Sequence, residues 1–84
     1  MYRVVPDAET FEQVAALPVE ALHHYAEVLA VLELQPWSGR PQHESNPGAA
    51  VRYWNFGPDG AGQAVYLILE EQREVHLLLV QWLA

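Results

Sequence analysis

The chain has no cysteine and no lysine; its four cations besides histidine are all arginines, Arg3, Arg40, Arg52 and Arg73. Without cysteine there is no disulfide framework, no thiolate nucleophile and no cysteine-based zinc site. Four basic residues stand against eleven acidic ones, a formal charge of −7, so a simple electrostatic nucleic-acid binder is excluded, because that needs a basic excess. Long apolar runs are also missing. The longest, Ala64 to Leu69, is bounded by Gln63 and Glu70, whereas a membrane helix needs about 20 residues. The N-terminal segment MYRVVPDAETFEQ has none of the basic and apolar zones of a signal peptide. The expectation is a cytoplasmic protein without a membrane partner. Serine is scarce: Ser38 and Ser45 are the only two, and neither stands in a GxSxG elbow. The glycines at 57, 60 and 62 precede no helix and form no phosphate loop.

What is present is core material. Of 84 residues 51% are hydrophobic, enough for one ordered domain over 1–84 and too short a chain for two. Tyr2 to Val5 reads as a strand ended by Pro6. Asp7 is placed to cap a first helix, with Glu9 in its first turn and Phe11, Val14 and Ala15 as its apolar face. Pro18 ends that helix and opens the next. There Leu22, Tyr25, Leu29 and Leu32 form a stripe widened by Val28 and Val31, stopped at Pro36. The two helices read as a hairpin. Residues 35–50, rich in Pro and Gly, read as a long irregular connection. Three strands follow, Ala50 to Phe56, Gln63 to Glu70 and Val75 to Leu83, as an antiparallel meander. The last is apolar on both faces, with Val75, Leu77 and Leu79 on one and Leu78, Val80 and Trp82 on the other, which predicts a central position. The expected fold class is α+β, in the order β-α-α-β-β-β.

Candidate chemistry rests on few residues. Strand alternation sets Ala50, Arg52, Trp54 and Phe56 on one face, so Arg52 could hold a phosphate and Trp54 stack a base. Equally, Arg52 could cover a core aromatic with its stem. Arg40 and His43 lie in the connection, where a histidine titrating near neutrality can act as acid or base. His76, on the last strand beside Leu78 and Val80, is a further candidate. Trp37 is expected to anchor the connection on the core. His23 and His24 are adjacent, not spaced i, i+4, so no metal ligand pair is expected. No cofactor or metal is implied.

Four segments, PDAETFEQVAALP, LQPWSGRP, AAVRYWNFG and QAVYLILEEQREVHLLLVQWL, together with the element order, resemble the RelE/ParE toxin superfamily of bacterial toxin–antitoxin systems. The PW.G.P phrase followed by VR...FG is similar to actinobacterial RelE-like members. The resemblance implies a helical pair packed on an antiparallel sheet, a cognate antitoxin as partner, and mRNA on the ribosome or DNA gyrase as target. A homodimer is a further possibility it leaves open. It also implies that nuclease members carry basic residues on the open sheet face and near the C-terminus. Arg52 matches one such position. Gln63 falls where a second is usual, and Gln81-Trp82-Leu83 replaces a basic end. A target-binding toxin without nuclease activity is therefore the first reading. An mRNA endoribonuclease using Arg52, with Arg40, His43 or His76 as acid or base, is the alternative. A small α+β interaction domain unrelated to these toxins is the third.

Overall fold

The computed structural model describes residues 1–43, 45 and 48–83. In chain order it comprises β1 (Arg3–Val5), α1 (Ala8–Ala15), α2 (Val19–Leu34), a 3-10 turn (Pro36–Ser38), β2 (Arg40–Pro41), β3 (Val51–Phe56), a second 3-10 turn (Pro58–Gly60), β4 (Gly62–Leu69) and β5 (Glu74–Trp82). One sheet contains all five strands in the order β1-β5-β4-β3-β2. β1 runs parallel to β5, the long connection that a parallel pair requires being made by both helices and the other three strands. The other pairs are antiparallel. The meander and the interior place of the last strand, between β1 and β4, are as expected. The connection after α2 is less irregular than its composition suggests, since it holds the first 3-10 turn and β2. Its residues Glu44, Asn46 and Pro47 lie outside the described set, as does Ala84.

Asp7 caps α1 as its sequence position indicates. Its carboxylate accepts from the Thr10 backbone N–H at 2.8 Å, and the Thr10 hydroxyl accepts from the Asp7 N–H at 2.9 Å. These bonds satisfy Thr10, which is fully buried, so this hydroxyl and not Phe11 faces inward. Phe11 is 68% exposed. The inward side of α1 and its exit is Thr10, Gln13, Val14 and Leu17, at spacings of three, one and three. α2 is likewise turned from its expected orientation. Ala21, Tyr25, Val28 and Leu32 are buried, while Leu22 is 43% exposed. Ala21 explains the turn: a small side chain lets the helix approach the sheet, and one position away Leu22 would not fit so closely. Among the described residues no helix is long and apolar enough to cross a membrane.

Both helices cover one face of the sheet. Tyr66, Ala64 and Ile68 of β4 and Val75, Leu77 and Val80 of β5 point into this core, with Phe56 of β3. β5 does not alternate throughout. Its register against β4 slips between Val65 and Tyr66, which pair with Leu79 and Leu77, so Leu78 is an extra residue. The bulge puts Leu77 and Val80 on the same buried face and leaves Leu78 45% exposed. The expected division of β5 into two strict faces is thereby corrected. Gln13 holds this kink: its side-chain oxygen accepts from the Val80 N–H at 2.8 Å.

Candidate functional site

Arg52 lies on the core side of β3, opposite Tyr66, and is only 8% exposed. Its Nε donates to the Ala49 carbonyl at 3.2 Å, and one terminal nitrogen donates to the Trp37 and Gly39 carbonyls at 3.1 and 2.9 Å. The guanidinium carbon is 4.9 Å from the centre of the Trp37 ring. The Tyr66 hydroxyl, beneath it, donates to the Pro36 carbonyl at 2.7 Å. Burial pushes this phenol up to about 12, against the opposing pull of the Arg52 charge. A Cβ on Gly39 would stand 1.8 Å from the Tyr66 hydroxyl oxygen, so only glycine lets the chain pass there. The expectation that Arg52 presents itself to a phosphate is corrected. Its donors are turned to the carbonyls of residues 37, 39 and 49. Trp37 is held as expected, though by a polar bond: its indole N–H donates to Glu70 at 2.7 Å.

The remaining candidates are scattered. Trp54 is half-buried against the core, so it is not a stacking platform on the open face. Arg40 opposes Tyr53 in the β2–β3 ladder and shares the open face. It makes no hydrogen bond or ion pair among the described residues. With Ser38, Tyr53, Trp54 and Asn55 it lines a cleft of about 350 Å³. His43 is exposed beyond β2. His76 lies opposite Leu67, on the open face and not with Val80 as alternation implied, and its ring nitrogen bonds Glu74 at 3.0 Å. Three strand spacings of about 4.8 Å and two residues of rise separate Arg40 from His76, about 16 Å between backbones.

Between them the open face is apolar. Val51 and Tyr53 from β3, Val65, Leu67 and Leu69 from β4, and Leu79 from β5 face outward, half-buried. Across one end runs a row of amides. Gln81 donates to Gln63 at 3.0 Å, and Gln63 to Asn55 at 3.5 Å. These groups are neutral over the whole pH range in which a nuclease would work. They can neither neutralise a phosphorane nor exchange a proton. Among the described residues no group of three or more histidine and acidic side chains gathers to hold a metal.

No protein-family model matches the sequence, and no curated protein matches it either. Solved structures do match. The isolated Escherichia coli RelE toxin superposes over 100% of this chain and 86% of its own length with a TM-score of 0.79, at 12% identity. The E. coli RelBE toxin–antitoxin complex gives 0.78 over 98% and 96%, at 13% identity. The archaeal RelE–RelB complex of Pyrococcus horikoshii gives 0.64 over 96% and 93%, at 17% identity.

The chain has the RelE fold. The resemblance read from its segments thus holds at the level of architecture. Sequence reasoning missed one polar cluster on this RelE fold. Glu70 accepts from the Tyr2 hydroxyl at 2.5 Å, from Trp37 at 2.7 Å and from Arg73 at 2.7 Å. The Arg73 guanidinium also lies over the Tyr2 ring, 4.0 Å from its centre. Hydrogen bonds from Tyr2, Trp37 and Arg73, in that order, lower the Glu70 carboxyl to about 2. The partners come from residues 2, 37, 70 and 73, so only the Glu70–Arg73 spacing was a local signal. Arg3 pairs with Glu74 at the same end of the sheet.

Proposed function

We propose that this chain is the toxin-fold component of a toxin–antitoxin pair and that it acts by binding, without cutting RNA. The fold supports the first half: two of the matching structures are RelE in complex with the antitoxin RelB. The observation that carries the second half is the burial of Arg52, whose Nε and one terminal nitrogen donate to the backbone carbonyls of Ala49, Trp37 and Gly39. Cleavage by an adjacent 2′-hydroxyl needs a base for that hydroxyl and positive charge at the phosphorane, within reach of one another. Here the open face has an apolar centre and neutral amides at one end. That composition suits a protein partner better than a polyanion. This reading places the chain in the cytoplasm.

A second reading is favoured by Arg40, a cation without an ion pair among the described residues, beside a cleft with the Ser38 and Tyr53 hydroxyls. In it the nuclease site has moved to the β2 side, with His43 as base. Inducing the chain in a bacterial host while pulse-labelling protein synthesis and mapping mRNA 5′ ends separates the two. Under the binding reading, translation continues and no new mRNA ends appear. DNA damage in those cells points to gyrase as the target. Translation arrest with discrete mRNA cuts, both lost in Arg40→Ala, refutes the binding reading.

A further inference from the structure

The cleft of about 350 Å³ bounded by Ser38, Arg40, Tyr53, Trp54 and Asn55 lies where β2 stops short of the end of β3. Backbone parity shows what the shortfall leaves. The Ala50 carbonyl accepts from the Ile68 N–H at 2.9 Å, so even-numbered residues of β3 bond to β4. Odd-numbered ones turn toward β2: the Val51 carbonyl accepts from the Gln42 N–H at 3.2 Å, and Tyr53 stands opposite Arg40. Next in that series is Asn55, and the residue in line with it is Ser38. Ser38 is coiled into the 3-10 turn, its N–H on the Gln35 carbonyl at 3.0 Å. One place further, Gly57 leaves the strand at a φ of 80°, and its carbonyl takes the Gly60 N–H at 3.1 Å. The N–H and C=O of Asn55 are thus one donor and one acceptor at an open strand edge, on the side of the cleft.

The cation beside them is a second, independent observation. Arg3 pairs with Glu74, Arg73 with Glu70, and Arg52 bonds backbone carbonyls. Arg40 has neither a hydrogen bond nor an ion pair among the described residues, although the chain carries eleven acidic residues. A segment antiparallel to β3 runs from Asn55 toward Tyr53, as β2 does. A peptide whose last residue lies opposite Asn55 therefore sends its terminal carboxylate toward Arg40. The two positions are two residues apart along the edge, about 6.8 Å, within reach of an arginine side chain.

We propose that this cleft binds the C-terminal carboxylate of a peptide. The Asn55 N–H donates to one carboxylate oxygen and Arg40 to the other, while the N–H of the terminal residue donates to the Asn55 carbonyl. The terminal side chain falls on the open face next to Tyr53, which favours an apolar or aromatic one. One cation matches one negative charge, and the net charge of −7 opposes a polyanion. The open edge is a single residue long, so it takes the end of a chain and not a strand. The site does not depend on whether the chain acts as a toxin.

N-acetyl-dialanyl-phenylalanine is a suitable probe, read by amide chemical shifts of the purified chain. It should shift residues 38–40 and 53–55 saturably, with the Asn55 amide proton moving downfield and a Kd of about 1 mM or tighter. The same peptide as its C-terminal amide should bind about tenfold or more weakly, as should the acid to Arg40→Gln, the worth of hydrogen bonds between charged groups. The compound 3-phenylpropanoate has the carboxylate and the ring but no N–H, and should bind about threefold to tenfold more weakly than the peptide. The proposal is overturned if the peptide acid gives no saturable shift, if its amide binds equally well, or if Arg40→Gln leaves binding unchanged. It is also overturned if 3-phenylpropanoate matches the peptide, which would make this a site for free carboxylic acids, or if a uridylate trinucleotide binds more tightly than the peptide, which would make it a phosphate site.

Discussion

Replacing Arg52 by alanine tests the central structural claim. The substitution removes the charge-assisted hydrogen bonds to Ala49, Trp37 and Gly39 and the stacked contact with Trp37. Water can reach some of the freed carbonyls, but Gly39 is buried. A loss of about 3 kcal/mol is expected for breaking a buried charged group of this kind. A chain of 84 residues has about 4–13 kcal/mol to lose. Its unfolding entropy is about 0.18 kcal/mol per degree, so the melting temperature should fall by about 17 °C. Calorimetry gives this directly, and hydrogen exchange should show the amides of residues 39–42 opening first. Arg40→Ala is the control. Arg40 has no hydrogen-bond or ion-pair partner among the described residues, so the change should stay within about 0.5 kcal/mol, or 3 °C. An Arg52→Ala protein that melts within the range of the Arg40→Ala control would refute the structural role. The growth phenotype of Arg52→Ala must be read with this in mind, because loss of toxicity and loss of fold coincide there.

Acid should unfold the chain partly through Glu70. Its folded value, about 2, lies below the ordinary 4.5, so its contribution is complete above pH 4.5 and is lost as pH falls toward 2. Tyr2→Phe should shift the acid midpoint, followed by circular dichroism, to higher pH; an unmoved midpoint would exclude the cluster from stability. Gly39→Ala should destabilise by about 2 kcal/mol or more through its collision with Tyr66, and Tyr66→Phe in that background should recover part of the loss in urea titrations. Leu78→Lys should be near neutral because Leu78 sits outward in the bulge, whereas Leu77→Lys, on the buried face, should prevent cooperative unfolding. Asp7→Ala should cost about 1 kcal/mol by removing the α1 cap.

Local signals in the sequence were enough for the cap at Asp7, the break at Pro18 and the meander, since each depends on neighbours a few positions apart. The interior place of β5 was legible from its apolar excess. Three things were not. The β5 bulge adds one residue without changing composition, so alternation carried His76 and Leu78 to the wrong faces. Phe11 looked like core because apolar residues at helical spacing usually are, but α1 is too short to bury that side and Thr10, already satisfied by its cap, took the inner position. Arg52 was placed beside Phe56 on the right face. What it did there depended on carbonyls 3–15 positions away in sequence, which no local pattern encodes.

The sheet is bounded by its two shortest strands, three residues at β1 and two at β2, while β3, β4 and β5 have six, eight and nine. The long apolar strands are therefore interior, though covered only in part: β5 by β1 along Glu74–His76 and by the Gln13 bond at Val80, and β3 by β2 along Arg52–Tyr53. What faces outward is brief, and on the β2 side it ends at Pro41, which has no N–H to donate. Such a sheet is a poor template for cross-β growth despite its composition. Association of this chain with other molecules is steered away from shared backbone ladders and toward contacts between side chains.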